Sequence, residues 1–310
     1  MKSIQLPSLV LIGSALILTP ICPAASMFTS MHVFGDSLSD SGNVSLATAG
    51  GRPGEGYYQG HYSNGPIWTE QLATGYLGLA APAPSLAGGS AFAFGGAATA
   101  GGSSGVPSVT DQVNGFIGAG GGFTPTDLVV LWGGANDFLR EGVTDPSVPV
   151  ANLVSSIHAL AAAGATSILV PNLPDLSDTP AISLLGNAAA SAGMHALTVG
   201  FNTLLDGQLT ALRSSLGIDL MALDVFGLGK DVAADPAAFG VGNVVDSAYL
   251  TGDTANADDY IYWDEIHPTE AMHSIIAEEG ARVLGVPEPS ATMFLAVGLF
   301  GILFQRRRTS

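Results

Sequence analysis

Val33-Phe34-Gly35-Asp36-Ser37-Leu38-Ser39-Asp40-Ser41-Gly42-Asn43 decides how this chain is read. Residues 31–34 form a short apolar run, as at the end of a buried strand. The run stops at Gly35, where the backbone can turn without a Cβ penalty, and Ser37 follows two residues on. A helix expected from Leu38 would place Ser37 at its N-terminus, among free backbone N–H groups. A nucleophilic hydroxyl gains there, because its own N–H can hold the oxyanion formed when it attacks a carbonyl. Taken alone, the run also describes an ordinary strand-to-loop turn rich in small polar residues.

Two distant segments supply what Ser37 would need. In Trp263-Asp264-Glu265-Ile266-His267-Pro268 a carboxylate stands three residues before a histidine. Asp264 can fold back on Nδ1 of His267, leaving the other ring nitrogen to take a proton from serine. Pro268 restricts His267 to extended backbone and keeps it out of the helix expected near Thr269. In Leu128-Val129-Val130-Leu131-Trp132-Gly133-Gly134-Ala135-Asn136-Asp137 an apolar strand runs into Gly-Gly and then Asn136. An amide at the carboxyl end of a strand can donate to a developing oxyanion.

With these segments side by side, the chain resembles the GDSL esterases and lipases, the SGNH hydrolases. The serine block is similar to residues 35–38, the G-x-N-D block to residues 134–137 and the D-x-x-H block to residues 264–267. The remaining block, a glycine that donates its N–H to the oxyanion, best matches Ala93-Phe94-Gly95-Gly96-Ala97-Ala98-Thr99. The alignment favours Gly96, with Gly95 one step away. Tyr62-Ser63-Asn64-Gly65-Pro66-Ile67-Trp68 and Val170-Pro171-Asn172-Leu173-Pro174-Asp175 are lesser likenesses. The resemblance covers residues 30–285, the size of one domain. It implies a catalytic triad of Ser37, Asp264 and His267 and an oxyanion hole of Ser37, Gly96 and Asn136; the sequence has no H-E-x-x-H or Cys/His cluster, so no catalytic metal or cofactor is expected. The implied chemistry is hydrolysis of a carboxylic ester, on an acyl lipid or an O-acylated polysaccharide. The reading from a different class is a catalytically silent structural protein of the surface or extracellular matrix on the same fold; survival of all four blocks weighs against it.

The chain has 310 residues, 47% hydrophobic and only 11% charged, enough for a sizeable core in one domain. Of its 26 acids and nine bases, 25 acids and five bases fall in residues 27–285, a net charge of −20 there. Such a body repels nucleic acid and anionic membrane surfaces. Solubility of a secreted protein accounts for the excess acid without a cationic partner.

Both termini read as processing signals. Lys2, the apolar residues 6–18 and the small residues Ala24, Ala25 and Ser26 make residues 1–26 a secretory signal peptide. The single cysteine, Cys22, lies inside it, so the mature chain has no disulfide. Ile21 before Cys22 is bulky for a lipidation site. At the other end Val286-Pro287-Glu288-Pro289-Ser290 precedes the apolar residues 291–304 and the basic cluster Arg306, Arg307 and Arg308. At about 1.5 Å per residue, that run is short for a hydrocarbon core of about 30 Å. The arginines should stay cytoplasmic, with the body outside. Residues 286–310 resemble the PEP-CTERM sorting signal. The resemblance implies an exosortase-type partner, transient membrane association through a transmembrane segment, and delivery to the cell surface or matrix of a Gram-negative-type bacterium. A plain C-terminal membrane anchor is the competing reading.

The body, residues 27–285, alternates strand and helix. Strands are expected at 31–34, 91–94, 128–132, 167–170 and 218–223, and helices at 67–76, 150–163, 187–216 and 270–284. Leu153, Ile157 and Leu160 form one apolar stripe, and Leu197, Phe201, Leu204, Leu205, Leu209 and Leu212 another. Apolar runs without alternation suit parallel strands covered on both faces. The expected fold is therefore a three-layer α/β/α sandwich around a central, mainly parallel five-stranded sheet, with the site at the strands' carboxyl ends. Stretches 50–60, 101–122 and 233–259 read as loops. Gly101-Gly102-Ser103-Ser104-Gly105 matches G-x-S-x-G but has no strong strand before it. His158 and His195 read as helix-surface or packed residues, and His273 falls two turns after His267 in the helix expected at 270–284. His32 and His61 have room to line the cleft. Asp253, Asp258 and Asp259 lack EF-hand spacing and read as a solvated loop. Asp36, Asp40 and Asp137 suit helix N-termini.

Overall fold

Four short strands, sending alternate side chains to opposite faces, build the molecule. The computed structural model describes residues 28–286. The expected signal peptide, Pro287-Glu288-Pro289, the apolar run and the terminal arginines lie outside the described residues. Strands β1 (Ser30–Gly35), β2 (Asp127–Trp132), β3 (Ser167–Pro171) and β4 (Asp219–Leu223) form one parallel sheet in the order β1-β2-β3-β4. Alternate side chains feed two cores. Met31, Val33, Leu128, Val130 and Trp132 join one, while Phe34, Val129, Leu131, Ile168 and Val170 join the other. Every residue of β2 is buried, which is why its sequence is apolar without alternation.

Helices cover both faces. On the first lie α2 (Trp68–Gln71), which widens into a π-helical turn over Leu72–Leu77, α8 (Val225–Ala234) and α10 (Glu270–Val283). On the second lie α3 (Val109–Gly118), α5 (Ser147–Ala162) and α7 (Ala188–Leu216). Short helices α1 (Asn43–Ala47), α4 (Ala135–Leu139), α6 (Pro180–Ser183) and α9 (Ala248–Thr251) sit in the connections. The result is the expected three-layer α/β architecture. The long helix α7 starts where Asn187 accepts from the N–H groups of Ala189 and Ala190, and it ends at Gly217 in the left-handed region.

The fifth expected strand, 91–94, does not extend the regular ladder. It lies along the free edge of β1, with Val33 N–H donating to Ser90, Phe92 N–H to Val33 and Phe94 N–H to Gly35. Its carbonyls at Ala91 and Ala93 accept from the Asn43 side-chain amide, and Ala91 also meets segment 83–85, donating to Ala83 and accepting from Ser85. A side chain and a single backbone bridge thus close the sheet edge where a further strand would expose unpaired groups. The sheet therefore has four ladder strands, not five.

Two expected loops contain structure. Stretch 101–122 holds α3, started by a capping box in which Ser108 and Asp111 each accept from the other's backbone. Stretch 233–259 holds β5 (Asn243–Ser247) and α9; β5 pairs in parallel with β6 (Tyr260–Tyr262) in a separate two-stranded sheet. The helix expected from Leu38 does not form. Asp36 Oδ1 accepts the Leu38 N–H and Asp36 O accepts the Ser39 N–H, so residues 36–39 make a turn and α1 starts only at Asn43. Asp40 meets its expected role there, collecting the N–H groups of Gly42, Asn43 and Val44.

Candidate active site

Strand ends place the first two groups. Ser37 follows β1 and Asn136 follows β2, at the carboxyl edge of the sheet. Close packing demands glycine just before the serine turn: a Cβ on Gly35 would lie 2.4 Å from the Trp132 carbonyl oxygen. Gln112 of α3 then clamps Gly35, accepting its N–H at 2.9 Å and donating to its carbonyl at 2.8 Å. The loop between β6 and α10 brings in Asp264 and His267.

His267 Nε2 lies 2.9 Å from Ser37 Oγ, and His267 Nδ1 lies 2.6 Å from Asp264 Oδ2. All three residues are buried. Asp264 Oδ1 accepts the backbone N–H groups of Ile266 and His267, both at 2.8 Å, and Oδ2 also accepts the Tyr57 hydroxyl at 2.7 Å. Burial opposes ionisation of Asp264, but adjacent His267 and these hydrogen bonds outweigh it and hold the carboxyl at about 2. Burial, and then the carboxylate it donates to, raise the Tyr57 phenol above its ordinary range, so it remains a donor. Tyr57 carries no sequence signal of its own. It sits in a glycine- and tyrosine-rich loop 207 residues away from Asp264.

The segment 62–68 has a positioning role. Ser63 donates to the Pro268 carbonyl at 2.9 Å, and Asn64 accepts the first N–H of α10, from Glu270, at 2.7 Å. The Tyr62 ring lies 4.9 Å from the His267 ring. Segment 170–175 ends in Asp175, which accepts from His195 Nδ1 at 2.6 Å and Lys230 Nζ at 2.8 Å, joining α7 and α8 to the loop after β3. Burial works against the charged form of Asp175, yet Lys230, Ser177 and His195 hold it at about 2.

Three donors are expected for the oxyanion: the N–H groups of Ser37 and Gly96 and the amide of Asn136. The N–H groups of Ser37 and Gly96 make no hydrogen bond among the described residues. Gly96 adopts φ +89°, which suits glycine. Of the two neighbouring glycines, Asp40 takes the Gly95 N–H at 2.8 Å and leaves that of Gly96 open. The Asn136 amide donates to the Ala97 carbonyl at 3.0 Å, which ties the Gly96 turn to α4. Asp36, expected at a helix N-terminus, instead lies beneath the site, 3.5 Å from Asn136 Nδ2, and burial pushes its carboxyl up to about 6.

The other sequence candidates fall elsewhere. Ser103 is bonded to Glu141. His61 is buried against Glu70, and His32 packs against Phe116 and Phe123; neither lines the serine cavity. His273 is fully buried without a partner among the described residues, and burial pushes it down to about 3. Asp253 accepts from Asn256 and Tyr260, and no group of three metal-ligating side chains is assembled among the described residues. A cavity of about 540 Å³ opens beside Ser37, Asn136 and His267 and continues between Leu38, Trp132, Met272 and Ile276 towards Val225 and Lys230.

The profile of a family described as GDSL-like lipase/acylhydrolase matches residues 31–279, and that of a PEP-CTERM protein-sorting motif matches residues 285–308. The chain is 25% identical to a phosphatidylcholine-sterol acyltransferase of Aeromonas hydrophila, over 88% of this chain and 95% of that one. It is 27% identical to a thermolabile hemolysin of Vibrio parahaemolyticus, over 79% of this chain and 61% of that one. Among solved structures, an aryl esterase of M. smegmatis matches 84% of this chain and all of its own, at 18% identity and a TM-score of 0.46.

Proposed function

The chain belongs to the GDSL-like lipase/acylhydrolase family, which makes it a carboxylic ester hydrolase, and from that premise we propose that Ser37, His267 and Asp264 carry out the hydrolysis. The observation that carries the assignment is the continuous relay from Ser37 Oγ through both ring nitrogens of His267 to Asp264. In this reading Ser37 Oγ attacks the ester carbonyl while His267 Nε2 takes its proton. Asp264 fixes the ring by holding Nδ1–H and stabilises the imidazolium. The N–H groups of Ser37 and Gly96 and the amide of Asn136 receive the oxyanion. The tetrahedral intermediate then expels the alcohol, which takes the proton from His267. Water, deprotonated by the same nitrogen, releases the acid and restores the serine.

The cavity favours a long acyl group over acetyl. A water occupies about 30 Å³ of liquid and a methylene a similar volume, so the space beside Ser37 takes roughly a dozen methylenes or more. The walls contributed by Leu38, Trp132, Met272 and Ile276 are apolar and suit an acyl chain, although Ser177, Asp178, Thr179 and Lys230 also line the cavity. We therefore favour an acyl lipid over an O-acetylated polysaccharide.

The PEP-CTERM motif indicates export and surface sorting. We assign residues 1–26 as the signal peptide, 27–285 as the hydrolase domain and 286–310 as the segment recognised by an exosortase-type enzyme. Among the described residues no helix is long and apolar enough to cross a membrane. The test of function is a chain-length series of p-nitrophenyl esters, with Ser37→Ala as the control. The expected result is a rate maximum beyond acetyl and loss of turnover in the variant. Turnover that survives Ser37→Ala refutes the assignment.

A further inference from the structure

The few cations of this acidic body are unevenly committed. Lys230 is paired with Asp175 and Asp178, Arg282 with Glu279, and Arg213 donates to the Leu220 carbonyl. Arg52 and Arg140 have no carboxylate within 4 Å among the described residues. The acids nearest Arg140 in the chain are engaged elsewhere, Asp137 by Thr99 and Glu141 by Ser103. In a segment with 25 acids and five bases, two guanidiniums without an acidic partner need a reason.

Each stands beside part of the site. Arg140 lines the mouth of the cavity one turn after Asn136. Arg52 comes within 3.5 Å of where a Cβ on Gly96 would stand, beside the open N–H of the oxyanion turn. A third group faces the same space. The Tyr62 hydroxyl is buried without hydrogen-bond geometry to any described residue. Burial pushes its phenol up and Asp40 adds to that rise, while the charges of Arg52 and Arg140 and the side-chain approach of Arg52 oppose it, so both cations act on this hydroxyl. Two guanidiniums without a carboxylate ion pair and a buried hydroxyl beside them form a donor set that a phosphate or carboxylate satisfies, through forked and charge-assisted hydrogen bonds. Tyr62, Arg52 and Gly96 lie outside the apolar cavity, whose mouth Arg140 lines. With the acyl chain in that cavity, the anion belongs to the alcohol portion of the ester.

We propose that Arg52, Arg140 and the Tyr62 hydroxyl form an anion subsite that selects esters bearing a phosphate or carboxylate on the alcohol side. This rests on the serine-hydrolase reading above and adds the charge of the substrate to it. A neutral ester leaves the two guanidiniums and the buried hydroxyl without a shared acceptor, whereas an anionic one supplies it.

The experiment compares kcat/KM of the purified exported protein on three esters with one acyl chain: decanoyl glycerol phosphate, decanoyl glycerate and uncharged monodecanoyl glycerol. At least one charged ester should be preferred over the neutral one by about 10-fold or more, the scale of one charge-assisted hydrogen bond. Arg52→Gln and Arg140→Gln should each lower the charged-to-neutral ratio about 10-fold, and Arg52→Lys should retain part of it. Preference for the phosphate over the carboxylate, or the reverse, identifies which anion the fork fits. Labelling of Ser37 by an organophosphonate normalises every variant to folded sites. A neutral ester turned over as well as both charged ones, or a ratio that survives both glutamine variants, overturns the subsite. Failure of the serine reading is distinct: hydrolysis of the neutral ester would then persist in Ser37→Ala.

Discussion

Asp264→Asn tests the relay most directly, because the carboxylate it removes is tied at four points. It accepts from Tyr57, His267 Nδ1 and two backbone N–H groups, and its carboxyl lies at about 2 against an ordinary 3.8. A folded-state value below the unfolded one means that ionised Asp264 stabilises the fold. That contribution is fully present above about pH 4 and is lost as pH falls through about 2. A gap of nearly two units corresponds to about 2 kcal/mol at roughly 1.4 kcal/mol per unit. Urea unfolding of both proteins at pH 7 and pH 2 reads this as a difference of differences. The stability advantage of the parent over Asp264→Asn should shrink by about 2 kcal/mol from pH 7 to pH 2. Turnover at pH 7 should fall by about 10⁴, as expected when the group that sets the tautomer of a triad histidine becomes an amide. An advantage independent of pH would show that Asp264 is not the anchored carboxylate described. An activity loss below about 10-fold would remove it from the relay.

Other residues rank by what they contact. Asn136→Ala, which removes one oxyanion donor among three, should lower kcat by about 10²–10³, and His267→Ala by more; equal small losses by ester assay would mean the constellation is misread. Tyr57→Phe leaves Asp264 three of its four hydrogen bonds, so kcat should drop by no more than about 10-fold, roughly the weight of one hydrogen bond to a charged group; a loss as large as that of Asp264→Asn would give Tyr57 a direct part in the chemistry. Intact-mass analysis of the surface or released protein should find a chain ending within residues 287–290, and deletion of residues 291–310 should leave hydrolysis intact; a full-length C-terminus in a membrane fraction would favour a plain anchor.

The groups of the proposed site were legible because each sits in a local pattern with a local cause. Gly35 before Ser37 marks a strand ending in a tight turn, Asp264 three residues before His267 marks a carboxylate folding back on a ring, and Asn136 follows an apolar run and two glycines. Apolar runs without alternation likewise announced parallel strands covered on both sides. Helix α3 hid among glycines although its start was written in Ser108 and Asp111, a capping box that the composition of stretch 101–122 obscured. The turn at Ser37 went the other way: a helix was expected, but Asp36 captured the Leu38 N–H with its own side chain.

What only the tertiary structure decided depends on contacts between distant segments. Gly95 and Gly96 are neighbours in sequence; Asp40, 55 residues away, occupies the N–H of the first and leaves that of the second open, which supports the proposed role of Gly96. Tyr57 reaches Asp264 across 207 residues, and Arg52 meets Tyr62 and Gly96 only because their loops fold over the same strand ends. Local pattern reports what a residue's own backbone will do. Which donor stays free, and which charge stays unpaired, is settled by what the rest of the chain brings beside it.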